Sequence, residues 1–245
     1  MDAHHWVTVG AALWGAAAGT LVPRPAHRLS VEPEEPWQDA CPAGHPITGP
    51  AGGWLGPARC ADGTRYGPGT AAAALVTALI CATLAAATGP RPELAVWLLL
   101  APVAVLLALV DFRVHRLPDV LTLPLAGAAV VLLGVVALVP GHAGEWLTAV
   151  LGSLVLGGVY FLLFLVHPNG LGFGDVKLAL GLGAVLGWYG GGAVVLGTFA
   201  GFLFGGLYGL GLVVARRIGT RTAYPIGPAL IAGAYVGLLS GAYAA

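Results

Sequence analysis

Three aspartates stand where an apolar run begins or ends: Asp111 after LALV, Asp119 in PDVLTLPL and Asp175 in GLGFGDVKLAL. A carboxylate carried into a helical bundle in lipid costs at least ~2.5 kcal/mol on insertion scales, so acids at such positions are functional candidates. Two carboxylates held close together do not both ionise cheaply, and they share one proton. One takes a proton from water while the other donates to a carbonyl oxygen, which hydrolyses an amide without metal, nucleophile or cofactor. No cofactor is expected. Asp119, directly behind Pro118, reads as a helix start and cap rather than a reacting group. Arg113, His115 and Arg116 read first as anchors at lipid headgroups, and His167 beside Pro168 as a solvated loop residue.

The elements that must position these acids are membrane helices. With 58% hydrophobic and 9% charged residues in 245, the apolar surface exceeds what one soluble core hides, so the bilayer is the solvent. A formal net charge of zero excludes the electrostatic footprint of a nucleic-acid binder. Eight apolar runs approach the length of a spanning helix: 6–22, 70–88, 93–110, 119–139, 146–166, 175–190, 192–215 and 223–243. The first lacks a basic flank before it and is expected to stay in the protein rather than be cleaved as a signal. The sixth is short and glycine-rich, and its junction with the seventh near Gly190–Gly192 is the least sharply marked. These runs predict an all-α, polytopic membrane protein of about eight transmembrane helices. Residues 1–69 are expected to form the first span plus a loop, and 70–245 a seven-helix core.

Lys and Arg flank the spans unevenly. Placing the 23–69 loop in the cytoplasm puts Arg24, Arg28, Arg59, Arg65, Arg113, Arg116, Lys177, Arg216, Arg217 and Arg221 on that side and leaves only Arg91 outside. Asp111, Asp119 and Asp175 then share the cytoplasmic face. Cys41, Cys60 and Cys81 are too scattered to read as a disulfide framework, and Cys81 reads as a small hydrophobe. The tryptophans fit interfacial anchoring or packing. Gly201-x-x-x-Gly205, continuing to Gly209, reads as a close-packing ridge.

The stretch D-F-R-V-H-R-L-P-D-V-L-T-L-P from Asp111 to Pro124 resembles the first aspartate motif of the prepilin (type IV leader) peptidases. Gly172-Phe173-Gly174-Asp175-Val176-Lys177 resembles their second, the G-x-G-D signature of intramembrane aspartic peptidases, and Tyr224-Pro225-Ile226-Gly227-Pro228 is similar to the Pro-Phe-Gly-Pro stretch opening their last helix. The resemblance implies that Asp111 and Asp175 are the catalytic pair, with Gly172, Gly174 and Lys177 in the active-site motif. It further implies a bacterial cytoplasmic membrane protein that cuts the leader from prepilin-like substrates of pili or secretion pseudopili at the cytoplasmic face. Its partners would be that substrate and the lipid bilayer, with no nucleic acid. Asp175 opens a helix, whose dipole favours the ionised form and hence the base; Asp111 closes one and is expected to be the acid.

The first 69 residues depart from that family. Its bifunctional members carry two C-x-x-C pairs in this loop and also methylate the new N-terminus, whereas here the pairs read Cys41-Pro42-Ala43-Gly44 and Cys60-Ala61-Asp62-Gly63. Tetrahedral zinc takes four ligands, and Cys41, His45 and Cys60 supply three, with Asp62 a poor fourth. No bound metal is expected. Gly19-Thr20-Leu21-Val22-Pro23 resembles the family's Gly-Ser-Phe-Leu-Asn with Pro23 in place of the asparagine. Both departures count against methylation. The rival reading is a small-solute transporter, which also uses broken helices and intramembrane acids. Acids gathered at one face rather than the midplane, and no repeat between the halves, disfavour it. Nothing in the sequence indicates the oligomeric state.

Overall fold

The computed structural model describes residues 3–32, 34–167, 170–215 and 224–245. Arg216, Arg217, Arg221 and the first residue of the 223–243 run lie outside the described residues. Those described form helices α1 (Ala3–Leu21), α2 (Pro23–Leu29), the single turn α3 (Pro50–Gly53), α4 (Thr70–Thr88), α5 (Glu93–Val114), α6 (Asp119–Val136), α7 (Trp146–Val166), α8 (Phe173–Gly187), α9 (Gly191–Val214) and α10 (Gly227–Ala244), with no β-strand among them. Among the described residues seven segments are long and apolar enough to cross a membrane: His4–Leu29, α4, α5, α6, α7, α9 and α10. The chain is a multi-pass membrane protein.

The helix ends follow local chemistry. α5 continues past the apolar run to Val114, so Asp111 occupies its last turn. His115 then takes a left-handed backbone (φ 50°) and its N–H donates to the Asp111 carbonyl at 2.8 Å, which closes the helix. α8 is shorter than its run, with 15 residues or about 22 Å. Gly190, at φ 93°, makes the turn into α9, so the sixth and seventh runs stay separate helices.

Two compact units divide the chain: Met1–Pro90 with Trp97–Arg116, and Arg91–Val96 with Leu117–Ala245. In the first, α1 packs on α4 where Gly15 and Gly19 let the backbones meet; a Cβ at Gly15 would stand 2.6 Å from the Thr77 carbonyl oxygen. The indole N–H of Trp14 donates to the Leu98 carbonyl at 2.8 Å and ties α1 to α5. In the second unit, α8 packs against α6, α7, α9 and α10. Gly152 of α7 lies against Gly183 and Gly187 of α8 so closely that a Cβ there would overlap the Gly183 carbonyl oxygen. The expected ridge on α9 faces α10 and the chain leading into it: Gly201 meets Leu230, Gly205 meets Ile226 and Gly209 meets Tyr224. Lipid tails give helices no hydrophobic reason to associate, so this backbone approach and the dispersion contact it allows hold the bundle together. Trp97 and Trp188 are packed inside at 1% exposure, whereas Trp6 and Trp146 are exposed.

The segment between α2 and α4 holds two short hairpins, marked by the bridges Ala40–Pro46 and Arg59–Arg65. They bring Cys41 and Cys60 together in a disulfide, which corrects the reading of scattered, unlinked cysteines. Sequence separation hid the pairing because the two turns, rather than the intervening chain, set the distance. Cys81 is free and fully buried, as a small hydrophobe should be.

Candidate active site

Asp175 is the third residue of α8, in the turn that begins at Gly172. Its own N–H donates to the Gly172 carbonyl at 3.0 Å, and its carboxylate reaches back to accept the Gly172 N–H at 3.0 Å. The carboxylate thus satisfies a free N–H ahead of the helix and sits at the positive end of the dipole. The motif glycines are explained by space, not by unusual dihedrals. A Cβ on Gly172 would press to 3.3 Å from the Asp175 carboxylate, and one on Gly174 to 3.1 Å from Leu117 Cβ. The buried Tyr160 ring, stacked on Phe202 at a centroid distance of 5.5 Å, lies within electrostatic reach of Asp175.

Asp111 belongs to the other unit, in the last turn of α5, and is 5% exposed; Asp175 is 7% exposed. Among the described aspartates these two alone are buried. Asp119 differs in kind. It is the first residue of α6, behind Pro118, and makes no capping hydrogen bond, so the cap expected from the sequence is absent. Its carboxylate, 61% exposed, instead pairs with the Lys177 ammonium at 2.6 Å. Lys177, which also stands 4.8 Å over the Phe173 ring, thereby joins the start of α8 to the start of α6. An ammonium two residues beyond Asp175 outcompetes a local N–H for a neighbouring carboxylate.

One buried acid went unnoticed in the sequence. Glu93, fully buried in the first turn of α5, accepts the Ala143 N–H at 3.3 Å and the Tyr189 hydroxyl at 3.4 Å. The signal was an acid opening an apolar run, the same signal that marked Asp119 and Asp175. Glu93 stands about 27 Å along α5 from Asp111, eighteen residues at 1.5 Å each, and ties loops together at the opposite helix end.

The 30–69 loop brings the donor atoms of Cys41, His45 and Cys60 within 4.8 Å of one another. Asp62 is not among them: it accepts the Thr64 N–H at 2.9 Å, a bond that holds its carboxyl below the usual carboxylate range. Three donors, two of them sulfurs already joined to each other, do not fit the closed four-ligand zinc site that paired C-x-x-C motifs would make.

Asp111 and Asp175 are thus each buried in a turn at a helix end, Asp175 within a G-x-G-D stretch. Residues 98–210 match the type IV leader peptidase family. A prepilin leader peptidase/N-methyltransferase of Aeromonas salmonicida (strain A449) is 34% identical over 171 residues, which cover 68% of this chain and 56% of that protein. One of Pseudomonas aeruginosa is 32% identical over 198 residues, covering 78% and 63%, and one of Escherichia coli (strain K12) is 43% identical over 83 residues, covering 34% and 36%. The chain spans less than two thirds of the length of these curated relatives. No solved structure matches it.

Proposed function

We propose that this chain is a membrane aspartic endopeptidase that removes the leader of prepilin-like proteins at the cytoplasmic face of a bacterial cytoplasmic membrane. The observation that carries the reading is selective burial. Of the three aspartates at helix starts or in closing turns, Asp111 and Asp175 are kept below a tenth of their surface while Asp119 is left to solvent and a lysine. Burying a carboxylate in an apolar bundle is costly, and the chain bears that cost at the two positions that match the family's aspartate motifs.

In this reading Asp175, held by the Gly172 N–H at a helix start, is the base that takes a proton from water. Asp111, at the closing turn of α5, is the acid that donates to the scissile carbonyl oxygen. As the hydrated carbonyl collapses, Asp175 gives its proton to the departing amine nitrogen and Asp111 takes one from a hydroxyl, which leaves a carboxylic acid, an amine and one proton between the two carboxyl groups. Lys177 steadies the Asp175 turn through Asp119. N-methylation is no part of the proposal, since each cysteine pair lacks its second member.

Purified protein in proteoliposomes should cleave a prepilin-like peptide between its basic leader and its apolar segment, without added metal. Absence of cleavage together with uptake of a small solute would transfer the case to a transporter.

A further inference from the structure

The two hairpins of the 30–69 loop are built alike. In each, a cysteine N–H donates to the residue four positions on (Cys41 to the His45 carbonyl at 2.9 Å, Cys60 to the Thr64 carbonyl at 2.7 Å). In each, a left-handed glycine three positions on donates back to the cysteine carbonyl: Gly44 (φ 81°) at 2.8 Å and Gly63 (φ 87°) at 3.0 Å. The turns share the cysteine and the glycine and differ between them and after them, with His45 in the first corresponding to Thr64 in the second. Such a pair of turns presents two sulfurs to each other, and the loop needs a link between them. Among the described residues its buried hydrophobic cluster is small: Cys41, Ile47, Ala58, Cys60 and Tyr66. A core of that size does not hold a module together without a staple.

The sulfurs are also placed to react. Both line a small pocket with His45, Arg24 and Arg59. His45 Nδ1 lies 3.7 Å from Cys41 Sγ, and cationic neighbours favour the thiolate that carries out exchange. We propose that Cys41 and Cys60 form a reversible thiol–disulfide site, with low-molecular-weight thiols and disulfides as its reaction partners, and that the disulfide is the cross-link that keeps the two hairpins together in place of a metal.

The closing reaction balances as follows. The Cys41 thiolate attacks one sulfur of a small disulfide, expels a thiolate and leaves a mixed disulfide. The Cys60 thiolate then attacks Cys41 Sγ and releases the second small thiolate. The protein loses two electrons and the thiol protons, and the small disulfide gains them as two thiols. On the cytoplasmic side expected from the basic residues, small thiols keep such a pair open until the poise turns oxidising, so the loop would report that change.

The test uses the full chain in detergent, equilibrated in glutathione mixtures from fully reduced to fully oxidised, acid-quenched, denatured and labelled with a mass-tagged maleimide. Cys81 labels throughout. The expected result is three tags per chain in reduced mixtures and one in oxidised mixtures, with the two changing thiols titrating together. Cys41→Ser and Cys60→Ser should each show two tags in reduced mixtures and no intramolecular transition. Protease cleavage within 31–69 should quicken by about tenfold on reduction. Three tags in every mixture, or one tightly held zinc per chain protecting the thiols, would overturn the proposal, as would a loop whose protease resistance ignores the thiol state.

Discussion

A carboxylate held away from water in an apolar bundle is costly, and Asp111 and Asp175 are the described aspartates held so. Asparagine keeps their size and hydrogen bonding but cannot exchange a proton, so Asp111→Asn and Asp175→Asn should each lower cleavage by roughly 10²–10⁴-fold, with the protein still inserted. Asp119→Asn breaks an exposed ion pair worth ~0–1 kcal/mol, and cleavage should stay within about fivefold of the parent. Turnover of a prepilin-like peptide by the three variants at matched expression decides the matter. Normal cleavage by Asp111→Asn with a dead Asp119→Asn would move the dyad onto the exposed acid. The aspartates themselves were legible in the sequence, because each stands at an abrupt apolar boundary inside a recognisable motif. The partner of Asp119 was not. Pro-Asp ahead of an apolar run is the usual sign of a cap, and only the packing of α6 on α8 brings Lys177 within reach.

Helix positions were legible because length and apolarity are written directly in the sequence: the runs 70–88 and 146–166 became α4 and α7 without change. The packing of α8 was less so, since a glycine-rich stretch reads equally as a turn or as a contact face. The structure makes it a contact face, and this predicts a sharp contrast between two glycines on α7. Gly152→Ala puts a methyl into the Gly183 backbone, while Gly158 is exposed with nothing within 4 Å of a Cβ. Gly152→Ala should therefore cost about 1–3 kcal/mol of stability and displace the helix that carries Asp175, so activity falls with it. Gly158→Ala should be neutral in both. Thermal unfolding in detergent and peptide cleavage measured on the same samples would show it; equal effects would mean that α7 and α8 do not rely on this contact. The hairpins of the 30–69 loop were hidden for a different reason. Their turns rest on glycines at positive φ within a stretch too polar and too irregular to show periodicity.

For the whole molecule, the question is whether α8 crosses the membrane, since every later loop changes side with the answer. At about 22 Å it is short for a hydrocarbon core of ~30 Å. Its ends nevertheless meet the ends of α6, a helix long enough to span. At one end Lys177 pairs with Asp119, the first residue of α6. At the other, the Trp188 carbonyl accepts the Glu145 N–H at 3.0 Å, and Tyr189 shares Glu93 with Ala143 of the loop that follows α6. α8 therefore runs alongside α6 in the same direction and over the same depth. A short helix walled in by α6, α7, α9 and α10 need not meet lipid with its termini, so its length is no obstacle. This predicts that the turn after α8 shares the outer side with the loop after α6, and that α9 returns to the side of Asp111, Asp119, Asp175 and the 30–69 loop, in keeping with the distribution of Lys and Arg. Single cysteines in a background lacking Cys41, Cys60 and Cys81, labelled with a membrane-impermeant maleimide on intact cells, would test it. Leu138→Cys and Gly192→Cys should react from outside, and Glu35→Cys and Ala215→Cys only after the membrane is opened. If Leu138→Cys reacts from outside while Gly192→Cys stays silent and Ala215→Cys reacts, α8 turns back without crossing: Asp175 keeps its side, but the end of α9 moves to the outer one, against the expectation from the packing of α8 beside α6.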